Sequence, residues 1–512
     1  MRDRRERWTV TSLLTTGNTI KGYTMVGVPD GLGAYDNGDG TITVLMNHEL
    51  SDTASDEDLS GDEQADGGSP GVQGIDSPGA TGHGGHDGAF VSQWVINKNT
   101  LQVLSGRDFV NTPAKFFIFD SATKRYVSGA SIPGDSRLDI NRLCSADLAR
   151  TSAFYNTATG KGYNGRIFLD GEEGGALGRA FGWVVGQQTA YELPKFAGSF
   201  TSSTPDSPPA FENLLANAHT GDKTVVMGNS DGGTNQVSIY LGTKQKTGTA
   251  VDKAGLNDGQ MWSIYVNGVS AEDRATNVGI TAGTHGLNSG TTKEISLVAA
   301  NQGTTFLRPE DGAWDPKRPN VYYFVTTDRV DLSKQGENFN PDCTPGDGQV
   351  GRSRLWALTF NDVNNIATNG SAVGTIQLLL DGATNMGDNM TINNNGVITI
   401  GEDTGNAAHN PKTWQYDTKN GALSQIFKED PTKFGDLTGG VCTHPTAPFT
   451  SDKEVSGVLD VTNLFMDAAW YRPGSQVYLA DDQPHFDYPS TDPLGAELVE
   501  GGQLDLLTSV PK

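Results

Sequence analysis

One pattern constrains the fold of this chain more than any other feature. An acidic residue opens a short apolar run, a Gly- or Asn-rich turn reverses it, and a second apolar run closes on another acid. Asp30–Tyr35 leads through Asn37–Gly40 to Thr41–Met46 and then Asn47-His48-Glu49. Glu212–Ala216 leads through Gly221-Asp222 to Thr224–Met227 and then Gly228–Asp231. Glu310–Pro316 leads through Arg318–Asn320 to Val321–Val325 and then Thr326-Thr327-Asp328. Asp388–Ile392 leads through Asn393–Gly396 to Val397–Ile400 and then Gly401-Glu402-Asp403. Arg142–Ser145 and Arg166–Glu173 make a looser copy with a longer connection. Asn and Gly tolerate the positive φ that tight hairpin turns demand, so each copy reads as a β-hairpin.

No single hairpin of this kind can bury both its faces, and irregular repeats of one supersecondary unit therefore point to a ring. The expectation is an all-β fold, a β-propeller of six blades, with five as the alternative. Glycine at 65 of 512 residues is nearly twice its usual share, which agrees with many turns and short strands. Residues 20–507 read as one propeller domain. Residues 51–88, rich in Asp, Gly and Ser, read as an acidic insertion loop, and residues 329–351 as a second polar loop. Glu497–Leu507 reads as a last strand that completes a blade and closes the ring.

A propeller brings equivalent loop positions of every blade to the mouth of one channel. Carboxylates gathered there repel one another, and burying unpaired charge costs several kcal/mol per group. Arg142 and Arg308 are too few to balance them, so the pattern predicts bound cations. Hard oxygen ligands suit Ca²⁺ or a harder trivalent ion, and a cysteine at 144 adds a soft donor suited to a transition metal such as iron. A turn or strand-end role is the ordinary reading of any one of these acids, and a buried inert thiol that of Cys144. The formal charge of −24 excludes a nucleic-acid partner. No apolar stretch approaches the ~18 residues of a membrane span. The start, Met1–Arg7, has the charge of a leader n-region, yet no apolar core follows it. Cys343 and Cys442 lie in polar loops and can pair in an exported protein.

Weaker motifs fall away. His83 and His86 sit in a glycine-rich loop that would hold a metal poorly. Gly67–Gly71 matches the nucleophile-elbow spacing without a preceding strand. Asp36–Gly40 lacks the terminal Glu of a calcium loop.

The run Phe306–Pro316, with Asn47–Glu49, Arg142–Ser145, Gly171–Glu173, Phe211–Asn213, Gly401–Asp403 and Leu498–Leu504, resembles the PhoX-type alkaline phosphatase family, over residues 20 to 507. The contexts Leu143-Cys144-Ser145 and Phe211-Glu212 mark a divergent branch. The resemblance implies a monomeric, metal-dependent phosphomonoesterase with Fe³⁺ and Ca²⁺ at the channel mouth, exported to the periplasm or beyond. It implies Cys144, Glu212 and Glu310 as iron ligands. Glu49 and Glu172 or Glu173 would hold calcium. Asp311, Asp388, Glu402 and Asp403 complete the expected metal set, and Arg308 is the residue that contacts substrate phosphate. The rival expectations are a calcium-stabilised propeller scaffold without catalysis, and a propeller hydrolase of phytate, lactones or phosphodiesters.

Overall fold

The computed structural model describes residues 7–50, 88–133, 135–173, 178–197, 209–272, 292–327, 343–344, 352–406, 408–438, 441–483 and 501–511. The expected insertion at 51–88 lies outside the described residues apart from Gly88, as does the loop at 329–351 apart from Cys343 and Thr344.

Six blades surround one axis, antiparallel throughout except where Thr189–Glu192 pairs parallel with Phe116–Asp120. Their inner strands are Pro29–Asp36, Leu143–Asp147, Phe211–Ala216, Pro309–Trp314, Gly387–Ile392 and Asp452–Asp460, numbered here as blades 1 to 6. Each inner strand packs against the next, and blade 6 packs against blade 1, so the ring is closed. The sequence makes each hairpin locally. In blade 1 the Asp36 Oδ1 accepts from Gly38 N at 2.8 Å and the Asp39 Oδ1 from Thr41 N at 3.0 Å. Gly38 and Gly40 there take φ of 77° and 88°, which L side chains rarely adopt. The second strand that follows, Thr41–His48, is buried along nearly its whole length because neighbouring blades cover both its faces.

The core is divided among the seams between blades. Leu45, Phe109, Phe168 and Trp183 fill the seam of blades 1 and 2. Leu169, Val226, Tyr240 and Met261 fill that of blades 2 and 3, and Met227, Ile239, Phe324 and Trp356 that of blades 3 and 4. Tyr323, Leu355 and Ile398 join blades 4 and 5, and Leu32, Trp94, Leu479 and Leu504 join blades 6 and 1. The seam of blades 5 and 6 has a small apolar set built on Val458, Tyr478, Ala480 and Leu507. Polar groups Glu429, Asp482 and Asp505 are buried nearby.

Closure differs from the sequence expectation in one respect. Gln503–Val510 is the third strand of blade 6, not its last; the outer strand is Arg7–Thr15, paired antiparallel with it from Arg7↔Val510 to Thr15↔Gln503. The propeller therefore begins before residue 20. This outer strand is mostly exposed, so it lacks the apolar run by which inner strands are legible. Cys343 and Cys442 form a disulfide.

Candidate metal centre

The inner strands share a backbone device that aims their first side chains at the axis. Val28, Arg142, Ala210, Arg308 and Met386 all have left-handed φ, between 43° and 54°. Each lies two residues before Asp30, Cys144, Glu212, Glu310 and Asp388 respectively. Non-glycine residues rarely take this conformation, and it is repeated here in five of the six blades. A register shift follows at the same place in each strand: Pro29/Leu32, Leu143/Ala146, Phe211/Asn213, Pro309/Gly312 and Gly387/Met390. Such bulges bend a strand and re-aim its side chains. Blade 6 supplies Glu454 beside its own shift at Val455/Val458.

A second ring comes from the ends of the paired strands. The backbone N–H groups of Glu49, Glu173, Thr327 and Asp403 donate to the carbonyls of Val28, Arg142, Arg308 and Met386 at 2.9, 3.0, 2.9 and 2.9 Å. Asp231 occupies the corresponding place in blade 3 and Gln483 that in blade 6. Two concentric rings of donors result.

Among the described residues, the acids of these rings other than Asp231, together with Cys144, fall into four overlapping groups, each with its donor atoms within 4.8 Å of one another. Asp30, Glu49 and Cys144 form one, and Cys144, Glu173 and Glu212 the next. Glu212, Glu310 and Asp388 form the third, and Asp388, Asp403 and Glu454 the fourth. Cys144, Glu212 and Asp388 each belong to two groups, so the sites would share ligands as a chain around the axis.

The electrostatics match this crowding. Burial, followed by repulsion among neighbouring carboxylates, holds Asp30, Glu212, Glu310, Asp388 and Glu454 well above the ordinary carboxyl range. Burial and then Glu173, Glu49 and Glu212 push the Cys144 thiol up, with Arg142 opposing them. The thiol donates to Glu173 Oε2 at 2.9 Å. Two guanidinium groups answer the acids. Arg142 pairs with Glu49 and, at 3.0 Å, with Glu173. Arg308 forks onto Asp231 at 2.8 and 2.6 Å and lies 3.3 Å from Glu310. Among the described residues, two positive charges set against Asp30, Glu49, Glu173, Glu212, Asp231, Glu310, Asp388, Asp403 and Glu454 leave a large deficit. Cations fit this donor set: hard oxygens throughout, and one sulfur shared between two groups.

Of the residues expected from sequence, Glu49, Cys144, Glu173, Glu212, Glu310, Asp388 and Asp403 come together, with Arg308 at the rim. Glu172, Asp311 and Glu402 do not join them, because successive side chains on a strand point to opposite faces. Glu172 is instead held by Arg179 Nε and Nη2 at 2.7 and 2.6 Å, both partners only 3% exposed. Glu402 accepts from Asn385 N, Lys412 N and Trp414 Nε1 at 2.8, 3.0 and 2.7 Å. Asp311 accepts from Met390 N at 2.9 Å and from Asn213 Nδ2, and lines a cavity of about 240 Å³ farther down the channel. Asp30 and Glu454 join the cluster beyond the expected set, and Asp231 stands beside it as the partner of Arg308. Asp30 and Asp231 stand at repeat positions legible in sequence. Glu454 is hidden because its hairpin is interrupted by the helical turn Thr462–Phe465.

No protein-family model and no curated protein matches this chain. Among solved structures, PhoX of Pseudomonas fluorescens in complex with vanadate, a transition state analogue, has a TM-score of 0.54 at 12% identity, over 98% of this chain and 95% of that one. The likeness is one of fold. The periplasmic gluconolactonase PpgL of Pseudomonas aeruginosa has a TM-score of 0.32 at 9% identity, over 87% of this chain and 91% of that one.

Proposed function

We propose that this chain is a metal-dependent hydrolase of phosphate monoesters, with its chemistry at the channel mouth. The observation that carries the reading is the conjunction of four ligand-sharing donor groups with a guanidinium, Arg308, at their rim. The fold shared with a protein that binds vanadate as a transition state analogue supports it.

Cys144, Glu173 and Glu212 have the mixed sulfur and oxygen character that suits iron, whereas Asp388, Asp403 and Glu454 are an all-oxygen set suited to calcium. Bound there, such cations would supply Lewis-acid neutralisation of charge on the phosphoryl oxygens. The protein's own contribution is orientation. Asp231 engages the Nε and Nη2 edge of Arg308, which fixes the guanidinium plane and leaves Nη1 to donate to a phosphate oxygen. Glu310, two residues on, ties that plane to the ligand ring. The Cys343–Cys442 disulfide accords with an exported protein working in an oxidising compartment.

Elemental analysis of the purified protein, alongside hydrolysis of a chromogenic phosphate monoester before and after chelation, tests this. Iron and calcium should both be present, and hydrolysis should disappear on chelation. Well-folded protein that turns over without either metal would overturn the proposal. Calcium without any turnover would mark a scaffold.

A further inference from the structure

We propose that Arg142 is a second anion anchor, paired with Arg308, and that the two together select a doubly charged terminal phosphate over a singly charged diester. The proposal rests on the phosphatase reading above and names the group that would set its substrate class.

The two arginines are equivalent by position. Arg142 and Arg308 have φ of 48° and 54°, each two residues ahead of an inner-ring donor, in blades 2 and 4. Each is pinned along one edge by carboxylates. Arg142 Nε donates to Glu173 Oε2 at 3.1 Å while its Nη2 meets Glu49 and Glu173. Arg308 uses the same two nitrogens on Asp231. Nη1 of each has no hydrogen bond to a described carboxylate, and Arg142 also meets the Cys144 thiol. Their side chains remain 41% and 35% exposed, while every carboxylate that holds them is largely buried.

Blade 3 lies between them, and its matched residue is Ala210, which has no reach into the mouth. Across that gap the Glu173 carboxyl meets that of Asp231, so the pinning partner of one arginine touches the pinning partner of the other. The row Arg142, Glu173, Asp231, Arg308 thus links the two guanidinium groups through two neighbouring carboxylates beside Glu212. A buried carboxylate row of this kind orders long side chains before any ligand arrives, so little rotamer entropy is lost on binding. A monoester dianion offers three terminal oxygens and two charges. A diester offers two such oxygens and one charge. A second guanidinium therefore favours the monoester, by about 10- to 100-fold for a charge-assisted pair of hydrogen bonds.

Metal-replete wild type, Arg142→Ala, Arg142→Lys and Arg308→Ala are compared on a chromogenic phosphate monoester and a chromogenic phosphodiester. Metal content is measured for each, and binding of inorganic phosphate is followed by calorimetry. Arg142→Ala should lose about 10- to 100-fold in monoester kcat/KM and about 10-fold in phosphate affinity, with diester turnover changed less than about 3-fold. Arg142→Lys should recover part of the loss because the charge is kept. Equal losses on both esters, or unaltered phosphate binding with metals in place, would overturn the anchor. Should Arg142→Ala fail to load metal, a metal-replete Arg142→Lys decides: a partial loss of monoester-over-diester selectivity with weakened phosphate binding supports the anchor, and wild-type selectivity with wild-type phosphate affinity overturns it. A wild type that neither turns over monoesters nor binds inorganic phosphate sinks the phosphatase reading itself, whereas an active wild type with an indifferent Arg142→Ala sinks only the arginine pair.

Discussion

Cys144 differs in kind from every other donor at the mouth. A thiol surrounded by carboxylates is held protonated by its surroundings, and it donates a hydrogen bond to Glu173 Oε2 at 2.9 Å. A soft cation would displace that proton, since thiolate is the better ligand for iron, whereas calcium gains nothing from sulfur. Cys144→Ser should accordingly deplete iron and leave most calcium in place. Elemental analysis, together with loss of any thiolate-to-iron absorption, checks this. Undiminished iron in the variant would reduce Cys144 to core packing. At this scale the sequence was informative but incomplete. Glu49, Cys144, Glu212 and Glu310 were readable from the repeat and the resemblance. Glu172 and Glu402 could not be separated from Glu173 and Asp403, since adjacent strand residues look alike until a face is assigned.

At the scale of strands and blades, the left-handed residue followed by a bulge is the working unit. In five of the six blades it brings one donor to the axis while leaving the rest of the strand in register. The seam of blades 5 and 6 is the exception to an otherwise apolar packing scheme. Burial, then Asp505, raise the Glu429 carboxyl to about 7 from an ordinary value of 4.5, with Lys453 opposing. A folded-state value above the unfolded one means that stability is fully present below about pH 4.5 and is lost as pH rises toward 7. Glu429→Gln should then match wild type at pH 4.5 and exceed it at pH 8, by on the order of 1–3 kcal/mol. Chemical denaturation at the two pH values reads this difference. A Gln variant less stable than wild type at pH 8 would mean that the ionised carboxylate is paired rather than strained.

For the whole molecule, ring closure decides stability. The first described strand, Arg7–Thr15, is the outer strand of the last blade, so both ends of the described chain are held in one sheet. Removing residues 1–15 exposes the edge of Gln503–Val510 and takes Leu14 from the seam of blades 6 and 1. The expected result is a fall in thermal midpoint of several degrees and increased association, measured by calorimetry and sedimentation. An unchanged midpoint would show that blade 6 closes on three strands. Hairpins and their turns were legible in sequence because each depends on contiguous residues. This outer strand was not, because its neighbour lies about 490 residues away and its own side chains are mostly exposed.

By itself the sequence determined an all-β ring of hairpins, the acids that punctuate them and the cysteine among those acids. Local turn chemistry and two-residue periodicity write these directly into neighbouring positions. The tertiary structure alone decided which acid of each adjacent pair faces the axis, the recruitment of Asp30 and Glu454, and the strand that closes the ring. Those outcomes depend on the twist, bulge and packing of blades against one another, and no contiguous stretch of chain contains that information.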